Sequence, residues 1–338
     1  MIAGVPIVLA PLAGGPATPE LAAAVSSAGG LGFLAAGYKT AAAVEADLAR
    51  VRTLTARPVG LNLFFPAREP VDDEAIAAYA SRMRAEGERY GVAPGEPRWT
   101  DDDWEAKLEL AARERPEVVS FTFGCPGRGA VERLHRSGCS VWCTVTSTGE
   151  AHEAAASGID ALVVQGAEAG GHQGSFHDRD EDEPQPLRAL LEAVGRRTSL
   201  PLVAAGGIGT PAAAVEALAA GAAAVQLGTA FLLADEAGTS DAYRAALSAG
   251  TETRLTRAFT GRRARGLVNR FLVEHDAYAP RGYPQVHYVT APIRAAARAR
   301  GDAGGVNLWA GTAHRDARAG SASELVERWA RALGSAIA

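Results

Sequence analysis

Residues 202–229 read LVAAGGIGTPAAAVEALAAGAAAVQLGT, and this stretch decides the fold. Two short apolar runs, 202–205 and 224–227, enclose an alanine-rich segment with Pro211 at its start. Neither run alternates polar with apolar residues, which is typical of strands buried on both faces of a parallel sheet. The proline suits the first turn of a helix, because its missing N–H would be unpaired there in any case. The stretch therefore predicts a strand, a helix and a second parallel strand.

The same alternation recurs along most of the chain. The other predicted strands are 7–10, 31–34, 59–64, 118–123, 141–145 and 161–165. The predicted helices are one capped by Thr18, and then 40–53, 129–137, 148–157, 186–197 and 211–220. Eight strands separated by helices predict an α/β fold of the (β/α)₈ TIM-barrel type, with an open doubly wound sheet as the alternative.

Two parts of the chain depart from this repeat. Residues 66–116 are too long for one crossover, and they predict an insertion with two helices separated by a turn-rich stretch. After Asp235 the sequence predicts helical pieces but no further strand, until a last helix that Ser321 caps. We therefore expect three parts: a barrel over 1–235, a small helical subdomain over 236–305 that covers the substrate, and a C-terminal segment, 306–338, that returns to the barrel.

Composition excludes several functions. The 338 residues include 34 basic and 39 acidic side chains, so the net charge of -5 predicts no nucleic-acid partner and no anionic membrane partner. No apolar run reaches the roughly 20 residues of a membrane span. Three cysteines without a C-x-x-C pair predict neither a disulfide framework nor a zinc site, and they favour a reducing, cytoplasmic location. The sequence leaves the oligomeric state open, a homodimer included.

Glycines follow the last two predicted barrel strands. Gly206, Gly207 and Gly209 precede one helix, and Gly228 and Thr229 precede another helical turn. Glycine lets the backbone approach a ligand closely, and the N–H groups of a helix start attract an anion. One such loop would be explained by a tight turn alone. Two loops after strands seven and eight predict the phosphate site usual in these barrels.

The sixth predicted strand runs into a glycine-rich loop that holds a histidine. Residues 165–174 read QGAEAGGHQG, and a loop with so little side-chain bulk is expected to pass close to another group. His172 would lie at the rim of the barrel, where it could act as a general base or a hydrogen-bond donor. The other six histidines show no comparable setting in the sequence, and His135 and His152 are expected to be solvated.

Other loop residues could contact a flat ligand. Asn62 and Gln165 each offer a donor and an acceptor, although either amide could instead satisfy loop backbone. Residues 10–12 form a small, rigid, apolar surface. Cys125 is expected to be a buried thiol and not a nucleophile, because no activating base is evident. The acidic run 178–183 does not match a calcium loop, and it predicts a solvated, mobile lid; no metal site is predicted.

Together these segments resemble the nitronate monooxygenase family, formerly called 2-nitropropane dioxygenases, which are FMN-dependent TIM-barrel enzymes. The segments that carry the resemblance are 10–15, 60–64, 165–174, 204–208, 226–229, 259–262, 265–267, 269–271 and 308–311. The motif Q-G-x-E-A-G-G-H-x-G is the most specific of them. Gln173 stands where many relatives carry arginine, and Thr312 stands where the family often has glutamine. The resemblance implies that such departures could alter the pocket or the substrate preference without removing flavin binding.

The resemblance implies a cofactor, a site and a reaction. The residues implied to bind FMN are Asn62, Gln165, Gly170, Gly207, Gln226, Leu227, Gly228 and Thr229; the loop analysis adds Ala10, Pro11, Gly171 and Gly206. His172 would be the catalytic histidine. The implied reaction is oxidation of alkyl nitronates with O₂ to a carbonyl compound and nitrite.

Two alternatives stay open at this point. An FMN-dependent enoyl-ACP reductase or quinone reductase on the same scaffold would use NAD(P)H, although the sequence shows no dinucleotide fingerprint. A flavin-binding protein without turnover is disfavoured by His172, since a binding module has no need of a titratable group beside the ring.

Overall fold

The computed structural model describes residues 4–250 and 252–337 and has a parallel barrel at its centre. Its eight strands are β1 (Ile7–Leu9), β2 (Gly32–Ala35), β3 (Val59–Phe64), β4 (Val118–Thr122), β5 (Ser140–Val145), β6 (Ala161–Gln165), β8 (Leu202–Ala205) and β9 (Ala224–Leu227). The strands pair in the order β1-β9-β8-β6-β5-β4-β3-β2. Leu31 exchanges backbone hydrogen bonds with Ile7 and Leu9, which joins the two ends of the sheet. This confirms the TIM barrel and excludes the open sheet.

Helices between the strands surround the barrel. They are α1 (Pro19–Ser27), α2 (Ala41–Leu54), α5 (Arg128–Arg136), α6 (Thr148–Ala156), α7 (Leu187–Gly195) and α8 (Pro211–Ala219). Thr18, Thr40 and Thr210 each accept a hydrogen bond from the N–H three residues further on, so hydroxyl caps fix three of these starts. Predicted β4 ended one residue too late, because Phe123 has a φ of 76° and leaves the extended conformation.

The insertion after β3 forms the two predicted helices. They are α3 (Asp73–Tyr90) and α4 (Trp104–Glu114). Helix α4 packs against α2 and α5 in the outer layer of the barrel, whereas α3 packs against α11 (Gln285–Ala299), far along the chain. A second hydrophobic cluster, separate from the barrel core, includes Tyr79, Met83, Phe259, Phe271 and Val289. The insertion and the tail are thus packed on each other.

The tail contains strands that the sequence analysis missed. Strand β10 (Thr253–Thr256) pairs antiparallel with β11 (Ala264–Leu267), and β11 pairs with the short β7 (Gly171–His172). The expectation of no strand after Asp235 is therefore wrong. Both strands carry arginines, and β10 is only partly buried, so neither shows the apolar run of a buried strand.

The remaining helices are α9 (Asp241–Ala249), α10 (Arg270–His275) and α12 (Ala322–Ile337). Helix α12 begins after Ser321 as predicted and packs on α1 and α8, which returns the end of the chain to the barrel. In the described part of the chain, no helix is long and apolar enough to cross a membrane. The division at residues 235 and 305 stays a prediction.

Candidate active site

One cavity lies at the carboxyl ends of the barrel strands and has a volume of about 310 Å³. Twelve of the thirteen predicted site residues line it: Ala10, Pro11, Asn62, Gln165, Gly170, Gly171, His172, Gly206, Gly207, Gln226, Gly228 and Thr229. Leu227 does not line the cavity, because its side chain is buried in the core between barrel and helices. The strand ends of a parallel barrel converge, which is why residues more than 200 positions apart meet here.

The two glycine loops leave backbone donors free. Gly206 and Gly207 have φ values of 103° and 70°, a conformation that glycine adopts without strain. The N–H groups of Gly206, Gly207 and Gly228 donate to no other described residue. Helix α8 starts directly after the first loop, and its N-terminus adds partial positive charge. Unpaired donors beside a helix start form a site for an anionic group.

The three predicted side-chain amides line the cavity, and the structure uses them differently. Asn62 donates from Nδ2 to Ser120 and Thr122, which leaves its Oδ1 as an acceptor. Gln165 donates to the carbonyl of His172 and accepts from the N–H of Gly174, so it holds the glycine-rich loop. Gln226 is 7% exposed, and its amide has no hydrogen-bond partner among the described residues. Gln226 is therefore the amide most available to a ligand.

Part of the glycine-rich motif is structural. A Cβ on Gly170 would lie 2.5 Å from the N of Gly311, so the close passage of the chain before α12 excludes any side chain at this position. Both carboxylate oxygens of Glu168 accept from the N–H of Leu187, which caps the start of α7. The motif thus fixes the loop that presents His172.

His172 is positioned by the tail of the chain. Its strand β7 pairs with β11, with His172 opposite Ala264. Its Nε2 lies 2.9 Å from the hydroxyl oxygen of Thr260, and that hydroxyl donates to the carbonyl of Arg262 at 3.2 Å. Because a hydroxyl has one proton, Thr260 accepts from the Nε2–H of His172, and Nδ1 then carries the lone pair. Nδ1 has no hydrogen-bond partner in the described part of the chain, so it is free to accept a proton.

The surroundings keep His172 neutral. The ring centres of Phe123, Tyr283 and Trp309 each lie 5.6 Å from the ring centre of His172. Burial among these rings, with the positive charges of Arg262 and Arg294, lowers the pKa of His172 to about 3. A neutral imidazole at physiological pH can act as a base or as a hydrogen-bonding group, but not as a permanent cation.

The sequence analysis missed a second group of cavity residues from the tail and the β2 loop. They are Tyr38, Thr260, His287, Arg294 and Trp309. His287 stacks on Tyr38 with the ring centres 4.1 Å apart, so the expectation that no other histidine has a comparable setting is wrong. His135 and His152 are exposed, as predicted. Thr260 and Trp309 belonged to segments that carry the family resemblance, but no local pattern marked α11 as part of the cavity wall.

The acidic run is not a solvated loop throughout. Asp178 is 3% exposed and forms ion pairs with Arg257 at 2.9 Å and Arg263 at 2.7 Å. Burial opposes the ionisation of this carboxyl, but the hydrogen bonds and charge of Arg257, with those of neighbouring arginines, lower its pKa. The first residue of the run therefore ties the loop to the tail, and the prediction of a solvated lid is wrong for Asp178.

The thiols and the acidic clusters lie outside this chemistry. Cys125 is half-buried, and Cys139 and Cys143 are buried. Glu86, Glu274 and His275 come close enough together to share a cation. Arg270 donates to both oxygens of Glu86, however, so this cluster is neutralised within the protein.

Comparison with known proteins gives a consistent result. A family model described as nitronate monooxygenase matches residues 1–331. The nitronate monooxygenase of Paraburkholderia phytofirmans is 36% identical, over 98% of this chain and 93% of its own length. The nitronate monooxygenase of Pseudomonas aeruginosa is 39% identical, over 95% of this chain and 94% of its own length.

Solved structures agree with this. A nitroalkane oxidase from Streptomyces ansochromogenes matches with a TM-score of 0.97 and 48% identity, over 99% of this chain and 97% of that one. FabK from Thermotoga maritima has a TM-score of 0.78 at 24% identity, covering 99% and 94%, and so shares the fold alone. The whole-length family match and the identities above 30% lead to one conclusion: this chain belongs to the nitronate monooxygenase family of flavin-dependent oxidoreductases.

Proposed function

We propose that this protein is an FMN-dependent enzyme that oxidises alkyl nitronates with O₂ to a carbonyl compound and nitrite. The observation that carries the proposal is the pair of glycine loops with unpaired N–H groups at Gly206, Gly207 and Gly228. These donors lie beside a helix start, in the same cavity as His172. A single anion-binding corner of this kind suits the terminal phosphate of FMN.

The remaining polar groups suit the ring of the same cofactor. Ala10 and Pro11 provide a small apolar wall. Oδ1 of Asn62 provides an acceptor, and the amide of Gln226 provides a donor and an acceptor that have no partner among the described residues. Gln165 holds the glycine-rich loop through two hydrogen bonds and also lines the cavity. When bound, the flavin would supply the electron transfer, and the protein would supply position and electrostatics.

His172 is proposed as the catalytic residue. Its Nδ1 lone pair would remove a proton from a neutral nitroalkane; orienting the nitronate oxygens would instead need a proton on Nδ1, because those oxygens only accept. The low pKa keeps the imidazole neutral at neutral pH, so Nδ1 presents a lone pair to the cavity. Aromatic rings border His172 on three sides and give this part of the cavity an apolar wall.

The experiment separates this proposal from its alternatives. The purified protein is expected to be yellow and to release FMN on denaturation, and anaerobic addition of ethyl nitronate is expected to bleach the flavin. His172→Ala should keep FMN and lose most turnover on neutral nitroalkanes. Bleaching by NADPH and not by the nitronate would favour a reductase, and a protein that cannot be reconstituted with FMN would refute the cofactor assignment.

A further inference from the structure

Helix α11 supplies a buried cation to the cavity. Arg294 is 7% exposed and lines the same cavity as His172. Its hydrogen-bond partners are Thr290, Asn307 and His287, all of them neutral. Among the described residues, no carboxylate lies within ion-pair distance of it. A buried charge is costly unless something pairs with it, so an unpaired guanidinium in a cavity wall calls for a ligand.

The hydrogen bonds of Arg294 leave one donor unused. Its Nε–H donates to the Thr290 hydroxyl at 3.0 Å, and one Nη1–H donates to Oδ1 of Asn307 at 3.2 Å. Both Nη2 protons go to His287, one to the carbonyl and one to Nδ1. A guanidinium has five N–H groups, so one Nη1–H remains. The protein fixes the group in place and leaves both its charge and one donor unsatisfied.

The geometry around Arg294 keeps it rigid and charged. Nδ1 of His287 accepts from Arg294, and burial together with the charge of Arg294 lowers the pKa of His287 to about 2, so this histidine is no competing cation. Tyr38 stacks on His287 and accepts a hydrogen bond from Tyr283. Burial lowers the pKa of Arg294 only to about 10, so it stays protonated at neutral pH.

The charge of Arg294 acts on the reacting side of the cavity. It is one of the two cations that depress the pKa of His172, which places both groups within one electrostatic environment. Arg298, one turn further along α11, is exposed and also lines the cavity, and it has no ion-pair partner in the described part of the chain. The cavity therefore has one cation at depth and another at its surface.

We propose that Arg294 is a specificity-determining residue that binds the negative charge of the substrate, so that the enzyme favours the nitronate anion over the neutral nitroalkane. Arg298 attracts the anion to the cavity. This inference rests on the proposed function for the identity of the substrate, but the anion site itself does not depend on turnover. A small planar monoanion is the ligand class that matches one fixed charge and one free N–H.

Nitrate, a planar monoanion, is the probe. Its dissociation constant is measured by calorimetry on the flavin-loaded protein, for the parent chain, Arg294→Lys, Arg294→Met and the control Arg188→Met, which alters an exposed arginine on α7. Loss of a charge-assisted hydrogen bond predicts that Arg294→Met weakens nitrate binding by about ten- to a hundredfold. Arg294→Lys should weaken it less, and the control should not change it.

The outcomes are distinguishable. Unchanged nitrate binding in Arg294→Met would overturn the proposal. If that variant does not fold, Arg294→Gln, which also removes the charge, decides the question: a lower ratio of kcat/KM for nitronate to that for nitroalkane, with flavin content unchanged, supports the proposal, and an unchanged ratio overturns it. Nitrate binding that depends on Arg294 in a protein that nitronate does not bleach would refute the proposed function and leave the anion site standing.

Discussion

Replacing Thr260 by valine tests how the protein orients His172. Thr260 is 1% exposed, and its hydroxyl makes two hydrogen bonds, one with Nε2 of His172 and one to the carbonyl of Arg262. Valine has nearly the same shape but no hydroxyl, so both partners lose their bond while the packing is preserved. Thr260 is a positioning residue, because it acts on the reaction only through the imidazole.

The magnitude follows from those two bonds. One neutral hydrogen bond is worth about 0.5–1.5 kcal/mol, so losing the tautomer preference should lower kcat/KM for a neutral nitroalkane by about two- to tenfold. Leaving buried groups without partners should lower the free energy of unfolding by about 1–3 kcal/mol. A preformed nitronate needs no proton removal, and its kcat/KM should fall less.

The assay compares kcat/KM for nitroethane and ethyl nitronate, together with urea unfolding and flavin content. Thr260→Ser is the matched control, since it restores the hydroxyl and should recover both the rate and the ratio of the two substrates. Equal losses on both substrates would contradict the assignment of Nδ1 as the base. A valine variant as active as the parent would show that Thr260 does not orient His172.

Two further predictions concern stability. Gly170→Ala should destabilise the protein by about 1–3 kcal/mol in urea unfolding, because its Cβ would overlap the backbone at Gly311. The control Gly129→Ala on α5 has open space around the new Cβ and should not destabilise the protein in this way. Equal effects of the two substitutions would refute the overlap. The pKa values of His172 and His287, lowered to about 3 and 2, mean that the unfolded chain binds more protons below pH 6.5. As the pH is lowered from 6.5 to 3, the free energy of unfolding should therefore fall, by up to about 1.4 kcal/mol per pH unit for each histidine. When unfolding is measured at a series of pH values, the free energy of unfolding of His287→Gln should change less steeply with pH than that of the parent.

The barrel could be predicted because its determinants are local. Each strand that is buried on both faces must be a continuous apolar run, and each helix start needs a cap, as at Thr18, Thr40 and Thr210. The loops after β8 and β9 carry their own signal in glycine. These features depend on a few neighbouring residues, so they can be recognised from the amino-acid sequence alone.

The missed features depend on partners that are distant in sequence. Strands β10 and β11 are recognisable only from their pairing, because β11 aligns with β7 some 90 residues earlier. Asp178 lies in an acidic run that looks solvated, yet its ion pairs come from Arg257 and Arg263, about 80 residues away. A local pattern cannot show which charge in a run will meet a partner.

The same reasoning explains why part of the cavity wall was missed. The buried face of α11 includes Val286, Val289 and Ile293, which predict an ordinary amphipathic helix, and Thr290 and Arg294 share that face. A buried arginine without a carboxylate is informative only once the fold shows what surrounds it. The barrel thus supplies the groups that could hold a flavin, and the tail supplies Thr260 and Arg294, the groups that orient the histidine and neutralise an anion. Cofactor binding is therefore expected to tolerate changes in the tail better than substrate choice does.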